Sequence, residues 1–426
     1  MSSRSGRGRW GVGPTGIKAA LRVVRAALRV GRVALRVGCA FLFVGVVSAA
    51  DPSLATAQAP DESWRTLETE HFRVTFPAEL EALGRQAADR AERAYDELEE
   101  HFVEPPEGRI DLLLTDHADV SNGFAGVTPS NRITIFARPP TEALSLGFAD
   151  EWLELVITHE LAHIIHLDHV VNPIGRLGRA VFGRVPSEWP FFPELGTPRW
   201  VIEGIATWYE SRLTQAGRAR GSFLEMQLRT AALEGRFESI GQAAGESPVW
   251  PGGNRPYLYG TMFFAHLLEK YGEDRMSAFV DAVGGQWIPY RLDAAGRSAF
   301  GVSLTDEWKV WQAEVEAGLA DFEEELRRLG PISEPEAVTE GARWALYPEL
   351  SPDGRWLAYA RSDGVSDVSL EVVELATGET RSLGRTNQLA TVSWIDSESL
   401  LVSQLELEGP YRLYKDLYVF DLSGQQ

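Results

Sequence analysis

The chain has 426 residues, 44% of them hydrophobic and 24% charged, with a formal net charge of −20. This composition excludes a wholly disordered polypeptide and supplies enough apolar material for two or three domains. The charge is uneven, because residues 1–57 hold nine basic side chains against the single acid Asp51, which leaves −28 on the remainder. A body that acidic repels phosphate backbones and anionic lipid, which argues against nucleic acid or a membrane surface as a partner.

Residues 1–57 join a long basic stretch to an apolar run from Val37 to Val47 and end in Ala55-Thr56-Ala57. They read as a signal peptide cleaved before Gln58, which would make the product secreted or periplasmic. An uncleaved anchor is the alternative, but the apolar core is short against the roughly 20 residues a membrane span needs. A lipoprotein anchor on Cys39 fits worse, since that cysteine precedes the apolar run and Arg36 stands where an aliphatic residue is wanted. Cys39 is the only cysteine, so any metal on the processed chain must be held by histidine and carboxylate.

Beyond the leader, Phe72–Phe76 alternates as a strand, Glu79–His101 has helical spacing, and Arg109–Leu114 and Arg132–Ala137 are further strands. Ser121–Gly126 reads as a turn-rich loop between them. Helices are then expected over Phe148–His169, Arg199–Leu213, Phe223–Glu234, Pro256–Tyr271 and Leu304–Leu329. Strands followed by helices indicate an α+β domain over residues 58–330. Val170–Pro198 has little periodicity, and its Trp189, Phe191 and Phe192 suggest a packed lid or substrate wall.

Gly330–Gly341 is rich in Gly, Pro, Ser and Glu and marks a linker, taken as 331–341. From 342 to 426 short strands alternate with turns, and Asp353 followed by Trp356-Leu357-Ala358-Tyr359 repeats at a spacing of 43 as Asp396 followed by Ser399-Leu400-Leu401-Val402. That period is expected of β-propeller blades.

The chemistry is concentrated in Thr158-His159-Glu160-Leu161-Ala162-His163, an HExxH on an otherwise apolar helix. Residues four apart share a helix face, so His159 and His163 can reach one cation while Glu160 flanks its open position. Burying these groups among Leu155, Val156, Ile157, Ile164 and Ile165 is costly unless a metal compensates them. Two residues compete as third ligand. Glu203 interrupts the apolar face of a second helix, whereas His169 completes an HExxHxxGxxH spacing. Glu203 is preferred, because the second pattern needs glycine where this chain has His166. His166 and His169 then read as solvated histidines at a helix end.

With Trp200-Val201-Ile202-Glu203-Gly204-Ile205-Ala206, the HELAH segment resembles the gluzincin peptidases, the thermolysin-like superfamily with a zincin-like fold, over about residues 65–325. The resemblance implies a Zn2+ ion on His159, His163 and Glu203, Glu160 as general base, and a peptide or protein substrate. It also implies that Glu210 holds a ligand imidazole, and that Tyr257, or failing it Tyr259, supports the oxyanion. The GxMEN segment of the related aminopeptidases is missing, so an endopeptidase is expected. Residues 350–359 resemble TolB-type propeller blades. Only about two blades are present, so an incomplete propeller is expected, as in a fragment of a longer peptidase–propeller protein, with a possible protein partner on the propeller. The competing expectation is a periplasmic scaffold whose peptidase-like domain is not catalytic.

Overall fold

A computed structural model describes residues 62–140, 151–245, 250–331, 333–388 and 390–423. The expected leader lies outside the described residues. The first elements are β1 (Trp64–Glu68), β2 (Phe72–Pro77), α1 (Glu81–His101), β3 (Ile110–Thr115), β4 (Gly123–Gly126) and β5 (Arg132–Phe136). The strands form one sheet in the order β1-β2-β3-β5-β4, parallel through β2, β3 and β5 and antiparallel at both edges. Register aligns Val74 with Leu112 and Leu112 with Ile133. Side chains two apart share a face, so these residues form one buried surface with Phe72, Ile110 and Ile135. The small residues Ala87, Ala88, Ala91 and Ala94 of α1 join the same core and allow a close approach.

Residues 123–126 are an edge strand where the sequence suggests a loop. Gly123 pairs with Ile135 and Ala125 with Ile133, a tertiary pairing that overrides the weak strand propensity of Gly and Ala.

Helix α2 (Trp152–Asp168) carries the HExxH and is buried on nearly every side, as expected of a helix apolar all round. Its N-cap Glu151 accepts from the backbone N–H groups of Leu153 and Glu154 at 3.2 and 3.0 Å, and from Arg90 of α1 at 2.8 Å. The cap therefore also fixes α2 against α1.

The segment 170–198 contains a further helix, α3 (Pro173–Phe182), capped by the Asn172 side chain accepting from Gly175 N–H at 2.6 Å. Its buried face is only Gly175 and Gly178, while Ile174, Leu177, Val181 and Phe182 are exposed, so its pattern does not resemble a core helix. Phe192 is buried, and Trp189 and Phe191 pack against the main core.

Five more helices, α4 (Arg199–Leu213), α5 (Ser222–Leu233), α6 (Arg255–Tyr271), α7 (Arg275–Gly284) and α8 (Leu292–Ala299), lead to the long α9 (Leu304–Leu329). Neither α7 nor α8 is expected from periodicity, since both are short. Trp200 of α4 packs against Phe263 and Phe264 of α6 and Trp308 of α9, with ring centroids 5.7, 5.7 and 5.8 Å away. Where α4 crosses α6 the backbones touch at two glycines. A Cβ on Gly260 would lie 2.0 Å from the Trp200 carbonyl oxygen and 2.9 Å from the Gly204 Cα.

Seven strands follow in two antiparallel sheets. The first is β6 (Trp344–Leu350), β7 (Trp356–Ser362), β8 (Ser369–Glu374) and β9 (Thr380–Arg385); the second is β10 (Thr391–Trp394), β11 (Ser399–Glu408) and β12 (Arg412–Asp421). Trp356, Leu370, Val372, Leu400, Val402 and Phe420 form a core cluster distinct from the main one. Among the described residues no closed propeller is present. Edge strand β12 meets the β3–β4 connection instead. Asp119 N–H donates to Leu413 C=O and Leu413 N–H to His117 C=O, both at 2.8 Å, and Lys415 N–H donates to the Asp119 carboxylate at 2.8 Å. Among the described residues no helix is long and apolar enough to cross a membrane.

Candidate metal centre

Consecutive turns of α2 present His159 and His163, whose Nε2 atoms face each other at 3.1 Å. Glu203, in the second turn of α4, brings Oε2 to 3.3 Å from His163 Nε2 and 3.8 Å from His159 Nε2. Tetrahedral ligands about 2.0–2.1 Å from zinc stand about 3.3 Å apart, and these three separations bracket that value. The trio is the one group of three or more potential metal ligands found among the described residues.

Charge leads to the same inference. Glu160, Glu203 and Glu210 line one cleft with Arg199, 3.7 Å from Glu203, and Arg218, 2.6 Å from Glu210, so with all three acids ionised the negative charge exceeds the positive. A buried cluster with surplus negative charge favours a bound cation.

The cleft has a volume of about 370 Å³, is bordered by Gly123, Phe124 and Ala125 of β4, and is closed below by His159, Glu160, His163, Glu203 and Tyr257. Gly123 lies so close to Glu160 that a Cβ there would stand 2.8 Å from its carboxylate oxygen. Burial pushes the Glu160 carboxyl above its usual range, although the charges of His159 and His163 oppose the shift. Burial would also raise Glu203, but the hydrogen bond and charge of His163, with the charges of His159 and Arg218, hold it down at about 2. Glu203 is thus held as an anion, while burial favours the protonated form of Glu160.

Behind the trio lies a second charged layer. Glu210, two turns along the same face of α4 from Glu203 and fully buried, places Oε2 2.8 Å from His159 Nδ1. Burial works against its ionisation, yet Arg218 and His159 keep it strongly depressed. Arg218 has no counterpart in the sequence reading. It lies in a short 3-10 turn, Arg218–Arg220, just past α4, and no motif or spacing marks it. Such a layer fixes the tautomer and aim of a ligand imidazole. His163 lacks an equivalent, since its Nδ1 is buried without a hydrogen-bond partner among the described residues.

His169 bonds Asp281 at 2.8 Å and is not one of the trio. Three other sequence expectations change here. His166 is not solvated but buried, 3.6 Å from the equally buried Glu194; that acid comes from the 183–198 segment, too far along the chain for local spacing to reveal. Tyr259 is buried away from the cleft, accepting the Glu238 N–H at 3.1 Å, whereas Tyr257 lines the cleft with its ring centroid 6.4 Å from that of His159. Burial and the charge of Glu203 push the Tyr257 phenol up to about 12. Trp189, Phe191 and Phe192 do not line this cleft, so they are not a wall of it.

No family model matches the chain, and no curated protein matches it. Among the solved structures similar to parts of it are the following two. Native yeast LTA4 hydrolase is 14% identical over 65% of this chain and 40% of its own, with a TM-score of 0.32. An aminopeptidase N family protein from Idiomarina loihiensis is 10% identical over 85% of this chain and 67% of its own, with a TM-score of 0.29. The chain thus spans 40% of the length of the first. Likenesses this distant carry no argument about function.

Proposed function

We propose that the chain is a zinc-dependent peptidase that hydrolyses internal peptide bonds. The observation that carries this reading is the convergence of His159, His163 and Glu203, with Glu160 beside them in an open cleft. His159, His163 and Glu203 would hold the ion. When bound, zinc supplies Lewis acidity that polarises the scissile carbonyl and eases deprotonation of water.

The protein side chains do the rest. Glu160 accepts a proton from the attacking water and delivers it to the departing amine, a task helped by its raised affinity for protons. Tyr257 remains protonated at neutral pH, so it can donate a hydrogen bond to the oxygen on which negative charge develops. Trp152, Leu155, Val156 and Ile202 give the cleft an apolar wall that favours an apolar substrate residue.

Endopeptidase action is preferred over aminopeptidase action on the inventory of acids. Those among the described lining residues are Glu160, Glu203 and Glu210, and each already has a role, leaving none to hold a substrate ammonium group. The leader at 1–57 supports a secreted or periplasmic location. We read residues 342–426 as propeller-like blades that could receive a protein partner. A scaffold without catalysis would have no use for Glu160 in its present place.

Zinc content of the purified chain, with turnover of a protein substrate by wild type and Glu160→Gln, tests the reading. One equivalent of zinc in both and activity only in wild type is expected. A zinc-free active protein, or an equally active variant, would overturn it.

A further inference from the structure

We propose that Arg218 is a positioning residue that ties the metal-ligand layer to the oxyanion donor, with one guanidinium bracing Glu210 behind His159 and carrying the Tyr257 ring. The inference rests on the zinc-peptidase reading of the same site.

Arg218 turns its backbone N–H, Nε and Nη2 to this task. Its backbone N–H donates to Glu210 Oε1 at 3.0 Å, its Nε to the same oxygen at 2.8 Å, and its Nη2 to Oε2 at 2.6 Å. Glu210 Oε2 is in turn 2.8 Å from His159 Nδ1. The carboxylate is therefore gripped across both oxygens and can neither rotate nor withdraw from the imidazole. Arg218 Nη2 itself comes within 3.0 Å of His159 Nδ1. While its edge holds Glu210, the guanidinium group lies over the Tyr257 ring, with Cζ 4.7 Å from its centroid, within cation–π range.

The turn that carries Arg218 is fixed as well. Ala219 N–H donates to Ser211 Oγ at 3.0 Å, and Arg220 Nε donates to the Ser211 carbonyl at 2.7 Å, so residues 218–220 are held on the end of α4. The same helix delivers Glu203 and Glu210. Arg218 thus transmits the placement of α4 to His159 on α2 and to Tyr257 on α6. Lysine cannot substitute fully, since a point charge lacks the planar fork that spans both carboxylate oxygens and lies flat on an aromatic ring.

The test uses the full chain as wild type, Arg218→Lys, Arg218→Met, Tyr257→Phe and the Arg218→Met/Tyr257→Phe double variant. Zinc affinity is read by competition with a chromogenic chelator, and kcat and KM are read at saturating zinc. Arg218→Met is expected to weaken zinc by about 10–100-fold and Arg218→Lys by less, since loss of an orienting partner typically costs that much. At saturating zinc, kcat should fall with KM little changed. Tyr257→Phe should cost several-fold less kcat in the Arg218→Met background than in wild type, because the tyrosine is no longer held. A purely structural arginine would not produce that dependence. If Arg218→Met fails to fold, Arg218→Lys with and without Tyr257→Phe carries the same comparison. Zinc affinity within threefold of wild type, with an undiminished Tyr257→Phe effect, overturns the inference while leaving the zinc reading intact. A wild type that binds no zinc overturns both.

Discussion

Replacing Gly260 by alanine tests whether the site is set by the contact between two helix backbones. The added Cβ would lie 2.0 Å from the Trp200 carbonyl oxygen, 2.9 Å from Gly204 Cα and 3.0 Å from the Trp200 carbonyl carbon. A carbon beside a carbonyl oxygen rests at about 3.3 Å or more, so the overlap exceeds about 1 Å. Every obstacle is backbone, and only separation of α4 from α6 can relieve it. Alanine regains about 1 kcal/mol of helix propensity, whereas overpacking against backbone alone takes the upper end of its range, about 3 kcal/mol, so net destabilisation of about 2 kcal/mol is expected. In a domain of this size that lowers Tm by about 4–8 °C. Activity should fall further, because Glu203 adjoins Gly204 and Tyr257 lies three residues before Gly260. Misplacing such groups by about 1 Å costs about 100-fold in rate. The assay is Tm by calorimetry with kcat at saturating zinc, and Gly253→Ala is the control, since nothing lies within 4 Å of a Cβ there. A Gly260→Ala protein with wild-type Tm and kcat would show that the crossing does not set the site.

Glu160→Gln should retain zinc and lose several orders of magnitude in kcat, measured at equal metal loading, because the amide keeps the shape and cannot take the proton. Glu203→Ala should release zinc to a mild chelator, and His169→Ala should not, since His169 bonds Asp281 instead. The Tyr259 phenol is pushed up to about 12, chiefly by burial. Folding therefore gains nothing from its ionisation: the associated stability is complete below pH 10 and is lost as pH rises towards 12, by about 2–3 kcal/mol. Urea melts across that window should show a shallower loss for Tyr259→Phe than for wild type, and parallel losses would refute the assignment. Residues 58–330 expressed alone should fold and bind zinc, judged by cooperative unfolding and metal content, because the main core is separate from that of the C-terminal sheets.

Local chemistry made some of this legible in the sequence. The i, i+4 spacing of His159 and His163 places both on one helix face, and the acid within Val201-Ile202-Glu203-Gly204 breaks an apolar pattern that would otherwise be all core. The helices Arg199–Leu213 and Leu304–Leu329 end where periodicity predicts. What stayed hidden depends on distant contacts. β4 is a strand through its pairing with β5, and His166 is buried because Glu194 comes in from another segment. α3 escapes notice because its glycines face inward and its apolar side chains outward, the reverse of the usual pattern. Arg218 follows a turn and belongs to no repeat, and only the fold brings it to Glu210.

The meeting of β12 with residues 117–119 bears on how any shortened form of this protein should be read. Cutting at the linker does more than discard two sheets. It uncovers the Asp119 N–H and the His117 carbonyl, both satisfied by Leu413 in the whole chain, and takes the Lys415 N–H from the Asp119 carboxylate, which keeps Arg138. Those groups stand a few residues upstream of Gly123, which lies directly over Glu160. Slack introduced at the cut surface would therefore reach the cleft through the start of β4. Reduced turnover in a truncated form would follow from a loosened edge strand, and would not by itself assign the C-terminal sheets any part in substrate choice or chemistry.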